Sequence, residues 1–223
     1  MIKVEIFEQI AGWSYIKELP KEYLGFTLEC QQQENGEQYN IFCYKADAKR
    51  RSFSVVYDNV TKDFLARIEI GLTEYYDIRF ITTDLLSEER VLRLKLEQVL
   101  ADLAGEGQGY ESVFRMKKIL EWPYIKNLPA SVCGFELFIQ PDRAIKVING
   151  SYVIIDYSDF EAASNLIVYY NVYRDEFFGE LRLDRTPQMT ALFDAKELDD
   201  LALKLEENLL PSLEALRGKI AAL

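Results

Sequence analysis

The amino-acid sequence predicts an α+β fold made of two tandem, pseudo-symmetric units. Three observations support this prediction: a stretch of eight residues recurs 109 positions along the chain, segments of alternating apolar and charged residues follow each copy, and a helical apolar stripe closes each copy. Each unit is expected to contain an N-terminal helix, an antiparallel meander of four to five strands and a long C-terminal helix packed on one sheet face.

The repeat is clearest at the start of each unit. Residues 13–20 (WSYIKELP) match residues 122–129 (WPYIKNLP) at six of eight positions, and Gly25-Phe26 matches Gly134-Phe135 with the same spacing. A repeat this long indicates a duplicated domain, because solenoid repeats run to about 20–50 residues.

The match weakens farther along the chain. Residues 94–97 match residues 203–206 with the same spacing of 109 residues, whereas Ser52-Phe53 resembles Ser151-Tyr152 with a spacing of 99 residues. This change of spacing predicts a shorter first hairpin in the second unit, with compensating residues later.

Glycine composition marks the boundary between the units. Three glycines fall within residues 105–109 (GEGQG), which predicts a short flexible linker. The expected organisation is a first α+β unit at 1–104, a linker at 105–109 and a second α+β unit at 110–223.

The elements of each unit follow from local patterns. Apolar residues recur at helical spacing near each start, at Ile6, Ile10 and Trp13 and at Val113, Met116 and Leu120. The dipeptides Asn35-Gly36 and Asn149-Gly150 predict hairpins, because both residue types tolerate positive φ.

Later strands and helices are predicted from periodicity. Residues 66–70, 76–80 and 180–184 alternate between apolar and charged side chains, so one sheet face is expected to be apolar. The closing helices carry apolar stripes at Leu92, Leu96, Val99 and Leu103 and at Leu201, Leu205 and Leu209. Pro211 is expected to kink or restart the second of these helices.

The composition restricts the partners. The formal net charge is −11, and both halves are acidic, with 13 Lys and Arg against 19 Asp and Glu in residues 1–109. Because a negative surface repels phosphates, nucleic acid is not expected as a partner. The acidity is interpreted as a contribution to solubility, and binding to a protein with a basic surface is the alternative interpretation. No apolar run reaches the length of a membrane span, so no membrane role and a cytoplasmic location are expected.

The residue types argue against common catalytic machinery. The chain has no histidine, which removes the usual general base and the commonest zinc ligand. The phosphate-binding, dinucleotide-binding and hydrolase-elbow motifs are also absent from the sequence, and its three cysteines have no metal-binding spacing. We therefore expect no cofactor and no metal site, and a non-enzymatic role is favoured over a catalytic one.

Three groups of residues are candidates for a role beyond folding. The repeated aromatic pairs Trp13 with Tyr15 and Trp122 with Tyr124 are interpreted first as packed helix ends. The acidic group Asp194, Glu197, Asp199 and Asp200 is interpreted as a helix cap with a solvated face. The segment 166–173 is apolar on both faces, which predicts a candidate interface at Ile167, Tyr169, Tyr170 and Tyr173.

These observations lead to two hypotheses for the function. The first is a non-catalytic, acidic protein-interaction module of a chaperone-like, immunity-like or adaptor type. The alternative is a small-molecule-binding protein or a carboxylate-dependent enzyme with a site between the two halves. The sequence specifies neither the biological process nor the oligomeric state.

Overall fold

The computed structural model describes residues 4–30, 32–105 and 110–222. The chain divides into two compact units, Met1–Gly107 and Gln108–Leu223. Each unit contains one antiparallel sheet of seven strands together with helices, so the predicted α+β class with antiparallel sheets is confirmed. Of the predicted linker, residues 106–109 lie outside the described residues.

The first unit begins with a helix and ends with a longer one. Its elements are α1 (Val4–Ala11), a 3-10 turn (Ser14–Glu18), β1 (Glu22–Tyr23), β2 (Phe26–Glu29), β3 (Gln33–Asn35), β4 (Gln38–Ala46), a 3-10 turn (Asp47–Lys49), β5 (Arg51–Asp58), β6 (Phe64–Ile70), β7 (Thr73–Thr82) and α2 (Leu85–Ala104). The strand order is β1-β2-β4-β5-β6-β7, with β3 paired to β4, so β7 is an edge strand.

The second unit repeats this plan. Its elements are α3 (Ser112–Met116), 3-10 turns (Ile119–Glu121 and Pro123–Asn127), β8 (Ser131–Val132), β9 (Phe135–Ile139), a 3-10 turn (Pro141–Arg143), β10 (Ile145–Lys146), β11 (Ser151–Asp159), β12 (Ser164–Asn171), β13 (Glu176–Leu183), β14 (Thr186–Ala195) and α4 (Leu198–Ile220). The strand order is β8-β9-β11-β12-β13-β14, with β10 paired to β11.

The long elements of the two units share one register. The strands β4, β5 and β7 begin at residues 38, 51 and 73, and β11, β12 and β14 begin at 151, 164 and 186. The helices α2 and α4 begin at 85 and 198. Each second number exceeds the first by 113, whereas β2 and β9 begin 109 apart, at 26 and 135.

This register corrects the predicted first hairpin. The second unit has four more residues than the first between its β9 start and its β11 start, so its first hairpin is longer rather than shorter. The resemblance of Ser52-Phe53 to Ser151-Tyr152 was misleading, because Ser52 lies in β5 and Ser151 lies in β11, the counterpart of β4. The match of residues 94–97 to 203–206 likewise lies outside the structural register.

Two further expectations needed correction. The predicted four to five strands become seven because β1, β3, β8 and β10 contain only two or three residues, too few for a periodic pattern. The helix α4 is continuous through Pro211, so the predicted alternative of a restart at this residue is wrong. The Asn-Gly hairpins are present: Gly36 has a φ of 61°, and Asn149 and Gly150 have φ values of 55° and 69°.

The core of the second unit lies between its sheet and α4. Five leucines of α4 are buried, namely Leu201, Leu205, Leu209, Leu213 and Leu216. They belong to one apolar cluster with Tyr157, Tyr170, Phe177 and Phe193 from the strands. The cluster includes Phe193 and Ala195 of β14 and Leu201 of α4, so it joins the end of β14 to the start of α4, where an acidic cleft lies.

Candidate functional site

The four residues of the predicted interface lie in different surroundings. Ile167 and Tyr170 are fully buried and Tyr169 is 6% exposed, so a partner reaches none of them without rearrangement. Tyr170 belongs to the core beneath α4. Tyr173, after the end of β12, is 77% exposed and is the member of this set that is open to solvent.

The two repeated aromatic pairs pack inside their own units. Trp13 is buried, its indole N–H donates to Glu89 Oε2 at 2.8 Å, and its ring centroid lies 5.5 Å from that of Tyr15. Trp122 is also buried and stacks on Tyr124 at 5.1 Å. All four side chains lie at the 3-10 turns that precede the sheets, where the rings contribute packing area.

An acidic cleft opens where β14 ends and α4 begins. Its volume is about 320 Å³, and it is lined by Glu176, Phe177, Asp194, Ala195, Lys196, Glu197 and Asp200. Four lining side chains are carboxylates and one is a lysine, while the buried ring of Phe177 supplies an apolar wall. Asp199 and Asp200 lie in the first turn of α4, where the helix dipole attracts negative charge.

Lys117 places a cation against this acidic group. Its Nζ lies 3.0 Å from Asp175 Oδ1 and 3.5 Å from Glu197 Oε1, and its side chain is 11% exposed. The same atom lies about 6 Å from the ring centroids of Tyr170 and Phe177. Two carboxylates and two aromatic faces therefore surround one ammonium group, and both kinds of group attract a cation.

A hydrogen bond between Tyr170 and Asp175 shifts the pKa values of both groups. The Tyr170 hydroxyl donates to Asp175 Oδ1 at 2.7 Å. This bond and then Lys117 hold the pKa of Asp175 below its ordinary value, whereas burial and then Asp175 raise the pKa of Tyr170. Asp175 is therefore ionised and Tyr170 protonated at neutral pH, so the carboxylate beside Lys117 carries its negative charge.

The sequence predicts a helix cap with a solvated face here; all four acidic residues are exposed, but the capping part of the prediction is wrong. Asp194 lies in β14, and Glu197 occupies the N-cap position of α4 without a side-chain capping hydrogen bond. Glu197 pairs instead with Lys117, which is 80 residues away in the chain. No local spacing links these residues, so only the folded second unit brings the end of α3 and the start of α4 together.

The cysteines and the potential metal ligands give weaker evidence for a functional site. The three cysteines are free thiols, and burial raises the pKa of Cys43. No set of three or more His, Cys, Asp or Glu side chains within residues 4–30, 32–105 and 110–222 is arranged to hold a metal ion. Over the same residues, no helix is both long enough and apolar enough to cross a membrane.

Comparisons with known proteins do not assign the chain to a family. No protein-family model matches the sequence, and no significant match was found among curated proteins or among solved structures.

Proposed function

We propose that this protein is a non-catalytic, acidic protein-interaction module, of a chaperone-like, immunity-like or adaptor type, and that the acidic cleft receives a basic side chain of the partner. The observation that carries this proposal is the setting of Lys117. The chain itself holds a lysine ammonium between Asp175 and Glu197 beside two aromatic rings. The carboxylates that line the open side of the cleft attract a cation in the same way.

The charges of the cleft support a second, external cation. Glu197 and Asp200 have lysine partners at 3.5 and 3.7 Å, whereas the Asp194 carboxylate forms no ion pair within the described part of the chain. Glu176 has Arg174 as a partner at 3.2 Å, so Asp194 is the lining carboxylate that no basic side chain of the described residues pairs with. A Lys or Arg side chain entering beside Asp194 and Asp200 would reduce the remaining repulsion.

The repeated register supports a tandem duplication with pseudo-symmetric units, of which the second acquired the cleft. At the equivalent positions of the first unit, Asp194 corresponds to Ile81 and Asp200 corresponds to Ser87. Two of the four carboxylates therefore belong to the second unit alone. This difference favours a binding role for the cleft over a role in folding that both units need.

A peptide-binding experiment tests the proposal. A short fluorescent peptide of alternating lysine and glycine is titrated against the wild type and against Asp194→Asn/Asp200→Asn, with fluorescence anisotropy as the measurement. The double substitution is expected to weaken binding about fivefold or more, and added salt is expected to weaken wild-type binding. A matched control, Glu5→Gln/Glu8→Gln, removes the same charge from exposed positions of α1.

The control decides the outcome. If both double variants lose affinity equally, the attraction comes from net charge alone and the cleft is not the binding site. If neither variant loses affinity, the proposal fails.

A further inference from the structure

A second concave surface lies between the C-terminal half of α4 and the edge of the sheet. This groove has a volume of about 200 Å³ and is lined by Leu181, Leu192, Asn208, Pro211, Ser212, Ala215, Leu216 and Lys219. Most of these side chains are apolar, and Lys219 lies at the rim, where its ammonium donates to Gln188 Oε1 at 3.2 Å.

The first unit shows what fills the equivalent place. In the first sheet Tyr75 pairs directly with Ile68, and in the second sheet Gln188 pairs directly with Leu181. Directly paired residues of antiparallel strands point to the same face. Because Ile68 is buried and Leu181 packs against the core beneath α4, Tyr75 and Gln188 both lie on the helix-covered face.

Tyr75 lies on the face of its sheet that α2 covers. Burial raises the pKa of Tyr75. The charges of Asp77 and Arg79 in β7 and of Asp102 in α2 also lie near enough to shift this pKa. In the second unit Gln188 replaces Tyr75, and Ala215 replaces Asp102. Beside the groove, the second unit therefore has a glutamine and an alanine where the first unit has a phenol ring and a carboxylate.

The groove also contains a polar atom that lacks a partner. Ser212 is 6% exposed, and its Oγ forms no hydrogen bond. The equivalent residue of the first unit is Val99, which needs no partner. A buried hydroxyl without a hydrogen bond is unfavourable, so a ligand that supplies one would gain affinity at this position.

We propose that this groove is a binding site for a small molecule with a single phenolic ring. The ring takes the place that the Tyr75 side chain fills in the first unit and packs against Leu181, Pro211 and Leu216. Its hydroxyl forms a hydrogen bond with Ser212 Oγ. The volume fits one ring rather than a drug-sized molecule, for which pockets run to about 300 Å³ or more. The site is separate from the acidic cleft, and the two proposals can fail independently.

The test uses p-cresol, which has the structure of a tyrosine side chain. Binding to the full chain is followed by NMR through the methyl groups of Leu181, Leu192 and Leu216. Saturable shifts are expected at these leucines, and toluene, which lacks the hydroxyl, is expected to bind about fivefold or more weakly.

Two variants place first-unit residues in the groove. Gln188→Tyr is expected to fill the space and abolish the p-cresol shifts, and Ser212→Val is expected to weaken binding about fivefold while leaving toluene binding unchanged. Gln188 lies on the exposed part of an edge strand, and thermal unfolding of each variant checks that the fold is kept. The proposal is overturned if p-cresol shifts no leucine of the groove, or if it binds Gln188→Tyr as well as the wild type.

Discussion

Glu88 and Leu201 occupy equivalent positions in the two units. Each is the fourth residue of the helix that closes its sheet, and each side chain is 0% exposed. Glu88 Oε2 accepts a hydrogen bond from Thr82 at 2.9 Å, while its Oε1 has no partner. The first unit therefore buries a carboxyl group where the second unit buries a leucine.

Replacing Glu88 by leucine is expected to stabilise the first unit at neutral and higher pH. Burial raises the pKa of Glu88 from 4.5 to about 7, so folding disfavours its charged form. The penalty is absent below the unfolded pKa, grows as the pH rises and is complete above the folded pKa, where it is worth about 3 kcal/mol. Urea unfolding of Thr82→Ala/Glu88→Leu, which installs the residues of the second unit, measures it.

The opposite exchange is the control for this prediction. Leu201→Glu puts a carboxyl group into the core of the second unit and is expected to destabilise it by about 3 kcal/mol or more above neutral pH. A Glu88 variant whose stability gain does not change between acidic and alkaline pH would contradict the titration of Glu88.

Asp156 is expected to make stability pH-dependent in the second unit. Its Oδ1 accepts hydrogen bonds from Ser158 and Asn165 at 2.7 and 3.1 Å, but Oδ2 has none, and burial raises its pKa to about 6. Because the folded pKa lies above the unfolded value, stability is lost as the pH rises from about 4 to about 6.

The substitution Asp156→Asn removes this titration. It is expected to raise stability by about 2–3 kcal/mol above pH 6 and to have little effect at low pH. Thermal unfolding of both proteins across this pH range provides the comparison, and parallel pH profiles would show that Asp156 is not the titrating group.

The hydroxyl groups of Tyr44 and Tyr157 are expected to contribute equally to their units. Tyr44 donates to the Pro20 carbonyl at 2.7 Å and Tyr157 donates to the Pro129 carbonyl at 2.8 Å. Each Tyr→Phe substitution is expected to cost about 1–2 kcal/mol, because it leaves a carbonyl without this donor. Trp13 and Trp122 provide one fluorescent reporter in each unit for denaturant unfolding. Costs that differ strongly between the two would show that the bonds are not equivalent.

The two hairpin glycines are expected to differ in their tolerance of alanine. Gly36 and Gly150 both have positive φ, but a Cβ on Gly36 meets nothing within 4 Å, whereas one on Gly150 would lie 2.6 Å from the Tyr173 ring. Gly36→Ala is expected to cost about 1 kcal/mol, and Gly150→Ala somewhat more, because the exposed Tyr173 ring has to move aside. The double variant Gly150→Ala/Tyr173→Ala should recover most of the difference, and failure to recover it would mean that the ring is not the obstacle.

Much of the fold is readable from short patterns. The Asn-Gly dipeptides predicted both hairpins because a tight turn needs residues that accept positive φ, and the alternating segments predicted strands because successive side chains point to opposite faces. The spacing of the repeat was predicted less well. The spacing of 109 holds only up to β2 and β9, and it becomes 113 from β4 and β11 onward because the second unit has four extra residues between these strands, which similar residues 99 and 109 apart did not reveal.

The candidate sites were largely beyond sequence reasoning. Asp194, Glu197 and Asp200 were recognised as an acidic group, but Lys117 lies far away in the sequence, and no pattern places it beside Glu197. The groove beside α4 was not predicted at all, since its signal is a tyrosine that is present in one unit and missing in the other.

The sequence by itself determined the class of fold, the acidic charge and the existence of a repeat, because these depend on composition and on periodicities of two to four residues. The tertiary structure decided which carboxyl groups are buried, which lysine meets the acidic cleft and where the second unit is left with an open groove. These features depend on contacts between residues that are far apart in the chain, and such contacts exist only once the helices have packed on their sheets.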